Sequence, residues 1–189
     1  VSVKHYLCIA MVYKFILFLV FLAHAARIMC QVSLAYDTII DRGIYKSYFN
    51  TKYSTVSFVR YKLHNGGGSC ARAGVPWRHT AGRKVFHYAG SGYDKGHLAA
   101  AQDFANDCEA LRLTFDYINA LPQRPALNRG AWKSVETQVR KLSRTDTVYV
   151  ECGGLDFMPP DYMIPKYFYK IVTVHQGRDT VINVVFPNK

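Results

Sequence analysis

The one long helical run in this chain stands among strands instead of alternating with them, and that limits the folds open to it. Residues 128–142 read as the best helix, with Ala131, Val135, Val139 and Leu142 clustered on one arc. Around it lie strand-like runs. Residues 44–63 read as two strands, the second being 55–63. A further strand covers 147–151, and 168–174 with 180–186 form a hairpin across 175–179. The run Gly66-Gly67-Gly68 closes the second strand. Residues 69–92 are Gly- and Arg-rich and irregular, and are expected to lie over a site. Residues 109–118 read as a short helix or an extended approach to the next segment. Strands mixed with few helices, without βα alternation, predict an α+β fold on a mixed, largely antiparallel sheet. The 14 tyrosines and 11 phenylalanines favour that sheet. No internal repeat or low-complexity tract interrupts the 189 residues, which suffice for one domain with a sizeable core.

The helix carries a second pattern. At ~100° per residue, Asn128, Trp132, Glu136 and Arg140 climb one i, i+4 ridge, so three polar groups can look into one cleft. The tetrapeptide Asp94-Lys95-Gly96-His97 ends 31 residues before Asn128. Histidine has an unperturbed pKa near neutrality and can take a proton from water. The Asn128 carbonyl is a neutral oxygen ligand that suits a hard cation. A base, a metal ligand and a basic chain together suggest phosphodiester cleavage. Each residue also has a plainer reading. His97 is one of seven histidines and can be structural. Asn128 can be a helix N-cap. Glu136 and Arg140 can form an i, i+4 ion pair worth only ~0.3–0.5 kcal/mol. Asn119 can be a turn residue before Pro122. Trp132 reads as core or cleft wall.

The combination decides between these readings. Residues 94–101, Thr114-Phe115, Asn119-Ala120-Leu121-Pro122-Gln123 and Leu127-Asn128, with Gly130-Ala131-Trp132, Glu136 and Arg140, resemble the DNA/RNA non-specific endonucleases. The resemblance runs from about Tyr45 to the end and is dense between Tyr93 and Leu155. It implies a ββα-metal (His-Me finger) core and an enzyme that hydrolyses DNA and RNA with little sequence preference. It implies that His97 activates the attacking water and that Asn128 is the main protein ligand of a hydrated magnesium ion, for which manganese can substitute. Glu136 would hold the metal's waters, Arg140 would bind phosphate, and Asn119 would orient the site. Asp94 would position the histidine. Lys95 and an arginine of the preceding loop, Arg72 or Arg78, would bind substrate. The chain departs from the family pattern at Lys95, where arginine is usual, and at Gln102, where a small residue is usual. These departures are the support for the alternative of a catalytically weak or inactive nucleic-acid-binding relative.

Charge and targeting signals set the partners. The net charge is +11, which attracts polyanions over long range. DNA and RNA are the expected substrates; a basic domain binding other acidic polymers, such as sulfated glycans, is the rival reading. Residues 15–23 are apolar, follow Lys14 and precede Ala23-His24-Ala25, which is the signal-peptide pattern. The expected organisation is a signal over 1–26, with Met11 a candidate start, and a single nuclease domain over 27–189. Removing residues 1–26 leaves a charge of +9. Secretion is favoured over a membrane anchor because the unbroken apolar run is shorter than the ~20 residues a spanning helix needs. Cys30, Cys70, Cys108 and Cys152 then remain, enough for two disulfides in any of three connectivities, or for free buried thiols.

Overall fold

A computed structural model describes residues 33–79, 83–174 and 178–189. The 15–23 segment and Cys30 lie outside the described residues, as does part of the 175–179 turn.

Six strands form one antiparallel sheet in the order β1-β2-β3-β6-β7-β8. They are β1 (Thr38–Asp41), β2 (Tyr45–Asn50), β3 (Thr55–Leu63), β6 (Val148–Met158), β7 (Ile164–Val174) and β8 (Asp179–Pro187). The two long middle strands alternate inward and outward side chains over eleven residues each. β6 and β7 thus extend well past the short runs legible in sequence. A separate antiparallel pair, β4 (Asp94–His97) and β5 (Ala120–Gln123), lies over the large sheet, with His97 opposite Ala120. Between them come a 3₁₀ turn at Ala101–Phe104, α1 (Cys108–Thr114) and a second 3₁₀ turn at Tyr117–Asn119. The Asp107 carboxylate caps α1, accepting from the Glu109 and Ala110 amides.

After β5 the chain enters α2 (Pro125–Leu127), passes through a wide turn at Asn128–Trp132, and continues as α3 (Lys133–Leu142). The helical segment therefore starts three residues before Asn128, with Pro125 at its first position, and it is broken at Gly130, whose φ and ψ are −103° and −109°. This corrects the single run expected over 128–142. Because of the break Ala131 is exposed, not inward-facing, while Val135 and Val139 are buried as the helical period requires. β4, β5 and the 125–142 segment together make the ββα unit.

The core lies between this unit and one face of the sheet. Trp132, Val135 and Val139 pack with Leu98, Val150, Cys152, Phe168 and Val172. Trp132 is fully buried, and its indole N–H donates to the His97 carbonyl at 3.2 Å. The helix is thereby locked to the strand that ends in the histidine. The other sheet face carries Tyr48, Phe58, Leu155 and Tyr169. A cavity of about 1200 Å³ on that face is lined by Tyr36, Phe58, Arg60, Glu151 and Tyr169, and none of the candidate site residues borders it.

Cys70 and Cys108 form a disulfide across 38 residues of chain. Cys152 is a free buried thiol whose Sγ meets the Leu98 carbonyl at 3.1 Å, so it has no part in a second disulfide. It is fully buried on the inward face of β6, opposite Lys170 on β7, and burial pushes the thiol pKa up to about 12.

Candidate active site

His97 ends β4 with its imidazole nearly enclosed, between the Trp77 ring at 4.7 Å and the Phe115 ring at 4.8 Å. Only 8% of the residue is exposed. Nε2 is buried and has no hydrogen-bond partner. Burial, with the Arg72 charge added, holds the imidazole pKa down at about 3. The ring is therefore neutral at pH 7, so one of its nitrogens can accept a proton.

The strand carrying His97 is pinned from behind by Asn119. This fully buried side chain accepts from the Ala99 amide at 2.8 Å and donates to the Ala99 and Thr114 carbonyls, both at 2.9 Å. All its polar atoms point at backbone, so it positions the histidine segment and has no group to offer a substrate. Gly96 is obligatory beside it: a Cβ there would fall on the Gln123 side chain.

Asn128 does not cap a helix. Its backbone is helical and its side chain makes no capping hydrogen bond. Its amide nitrogen instead donates to Asp94 Oδ2 at 2.9 Å. Arg129 holds the same carboxylate through two bonds of 2.9 and 2.7 Å. The Arg129 hydrogen bonds, despite some opposing burial, keep Asp94 ionised below the usual carboxylate range. The arrangement fixes the amide orientation, leaving Asn128 Oδ1 as an acceptor with no protein donor among the described residues.

Glu136 and Arg140 do not pair with each other. Arg140 Nη1 bonds Asp103 Oδ1 at 2.9 Å, and Nη2 bonds Thr137 at 3.0 Å. Asp103 is fully buried and also accepts from the Tyr61 hydroxyl at 2.8 Å. Arg140 is thus anchored from beneath. The Glu136 carboxylate accepts no hydrogen bond among the described residues, and burial pushes its pKa up to about 7, against the pull of Lys170, Arg140 and Arg72. The charge of the exposed Arg72 acts on both His97 and Glu136. Arg78 is used differently. Its backbone bridges to the 115–117 segment, donating to the Phe115 carbonyl at 2.8 Å and accepting from Tyr117 at 3.2 Å.

Lys95 leaves β4 on the same face as His97. Its Nζ lies 5.3, 5.9 and 5.5 Å from the ring centroids of Trp77, Tyr88 and Tyr117. Gln102 is turned away from the site and donates to the Gly68 carbonyl at 2.9 Å.

The donor set suits a cation that keeps most of its water. No cluster of three His, Cys, Asp or Glu side chains able to hold a metal occurs among the described residues. One oriented amide oxygen, with an unpartnered carboxylate on the next helix, fits a hydrated magnesium ion and not a closed cage.

The sequence pattern of the DNA/RNA non-specific endonucleases matches residues 35–189. The chain belongs to that family. Human mitochondrial endonuclease G is 45% identical over 121 residues, covering 53% of this chain and 40% of the human protein. Bovine mitochondrial endonuclease G is 35% identical over 121 residues, with the same coverage. A nuclease of Nostoc is 35% identical over 92 residues, covering 46% of this chain and 34% of its own length. The chain thus spans about two fifths or less of these relatives. The crystal structure of an EndoG/EndoGI complex superposes with a TM-score of 0.68 at 22% identity, covering 82% of this chain and 76% of that one, which shows the shared fold.

In this family member the motif alone does not show what four residues contact. Trp77 and Phe115 box the histidine, Asp103 anchors Arg140, and Lys170 lies beneath Trp132. Lys170 is fully buried, with Nζ 4.3 Å from the Trp132 ring and no hydrogen-bond partner. Its signal was a lysine inside the apolar run 168–174. Asp103 and Trp77 had none, because neither stands at a helical or strand spacing from the motif.

Proposed function

We propose that this protein is a metal-dependent, sugar-non-specific endonuclease that hydrolyses phosphodiester bonds in DNA and RNA. The observation that carries this reading is the neutral His97, boxed by Trp77 and Phe115 at the end of β4 and sharing the field of Arg72 with Glu136. His97 takes a proton from the water that attacks phosphorus, the bond to the 3′ oxygen breaks, and that oxygen takes a proton from a water molecule, leaving a 5′ phosphate and a 3′ hydroxyl. The negative phosphate beside the ring raises its proton affinity from the low value of the free site. Asn128 Oδ1 would hold magnesium, with manganese able to substitute, and Glu136 would hold its waters; the bound ion supplies charge stabilisation at the leaving oxygen. Arg140, held by Asp103, presents its remaining N–H groups to phosphate. Arg72 and Lys95 add positive charge on the other flank. Contacts of this kind read the backbone and carry no base sequence.

The second reading is a nucleic-acid-binding relative that does not cut. It rests on Lys95, whose ammonium has lost the bidentate fork of arginine. The apolar segment at 15–23 directs export in the proposed account, and the Cys70–Cys108 disulfide suits an oxidising compartment. No helix among the described residues is long and apolar enough to cross a membrane. Plasmid nicking by the chain starting at Arg27, in chelator and then with magnesium, tests the function. Nicking that begins with magnesium is expected. Binding without nicking under both conditions gives the second reading.

A further inference from the structure

The wall between Lys95 and His97 is aromatic, and backbone recognition has no use for an aromatic wall. Residues two apart on a strand leave the same face, and Trp77 touches both of these: its ring is 4.7 Å from His97 and 5.3 Å from Lys95 Nζ. Tyr117 continues the surface, 5.3 Å from Trp77 and 5.5 Å from Lys95 Nζ. Both rings are half-buried and keep part of their area in solvent. The wall is also preset. The Cys70–Cys108 disulfide ties the loop to α1, and Arg78, next to Trp77, is bonded through its backbone to Phe115 and Tyr117. A phosphate held by Lys95 beside His97 therefore has a rigid π surface at its flank. In a duplex the base faces are stacked on one another and only the edges are open. A base must leave the stack to use this wall, and single strands offer such bases freely.

We propose that Trp77 and Tyr117 form a stacking wall for one unpaired base next to the cleaved phosphate, so that single-stranded or locally unpaired nucleic acid is the preferred substrate. The word cleaved rests on the nuclease reading; the stacking does not.

Binding in chelator separates the two. The chain has two tryptophans and Trp132 is fully buried, so intrinsic fluorescence reports contact at Trp77. The full chain is titrated with a single-stranded oligonucleotide and with an abasic deoxyribose-phosphate strand of equal length. The normal strand should quench fluorescence and bind about tenfold tighter than the abasic one, the scale of one stacked base. Trp77→Ala and Tyr117→Ala should remove that difference while keeping the abasic affinity. Trp77→Phe should keep most of it, and serves if the alanine variant does not fold. With magnesium added, the ratio of kcat/KM on single strand to duplex should fall about tenfold in Trp77→Ala. Equal binding of normal and abasic strands by the natural chain, or an equal loss on both in the variants, overturns the stacking wall. Base-dependent binding with no cleavage in magnesium overturns the nuclease reading and leaves the wall in place.

Discussion

Asp94 decides which end of the Asn128 amide faces away from it, as the proposed one-ligand metal site would require. Replacing Asn128 by alanine removes the ligand, and Asp94→Ala frees the amide to turn; both should raise the magnesium concentration for half-maximal cleavage, measured by metal titration. Unchanged titration in both variants would assign the pair to structure alone. The two unusual titrations act in opposite directions on stability. His97 has a folded pKa of about 3, below its unfolded value, so its stabilisation is present above about pH 6.5 and lost as pH falls toward about 3. Glu136 is raised to about 7, so its stabilisation is present below about pH 4.5 and lost as pH rises through about 7. Thermal melts in chelator should show His97→Ala flattening the acid-side loss and Glu136→Gln flattening the loss between pH 5 and 8. Lys95 is a point charge in an aromatic setting. Lys95→Ala should slow cleavage more than Lys189→Ala, while Lys95→Arg changes it modestly; equal rates in all forms would make its identity neutral.

At the scale of elements, the disulfide fixes the 70–79 loop to α1 and through it the ring that closes on His97. Closing a 38-residue loop is worth about 4 kcal/mol in the chain-entropy account. A Cys70→Ser/Cys108→Ser variant should lose about 2–4 kcal/mol in denaturant unfolding, and its His97 should become more accessible to diethyl pyrocarbonate. The same elements show what sequence reveals and what it hides. The strands over 44–63 and the hairpin runs 168–174 and 180–186 were legible because their pattern is local, whereas the start of β7 at Ile164 was not. The ββα order of His97, β5 and the helix was legible through the motif. The break at Gly130 was hidden, because the residues on either side keep helical spacing while one glycine turns the backbone. The i, i+4 ion pair weighed as the plainer reading of Glu136 and Arg140 does not form, and the partner that does hold Arg140, the buried carboxylate of Asp103 37 residues away, was not foreseen. Contacts of that range depend on the packed fold and leave no periodic trace.

Seen as a whole molecule, the protein puts its candidate site residues, with Lys95 and an aromatic edge, on the ββα side of a six-stranded sheet and leaves a cavity on the other. With a net charge of +11, nucleic-acid binding should weaken as salt rises, log affinity falling by ~0.9 for each log unit of salt per duplex phosphate contacted. A flat salt profile would contradict backbone recognition. The central claim is that His97 is the general base of a phosphodiesterase. Its most direct test is single-turnover cleavage of a labelled strand in magnesium by the natural chain and by His97→Ala, with binding measured beside it in chelator. The account predicts a rate lower by ~10²–10⁴ in the variant at unchanged affinity. A folded His97→Ala protein that cuts at near the natural rate would contradict it.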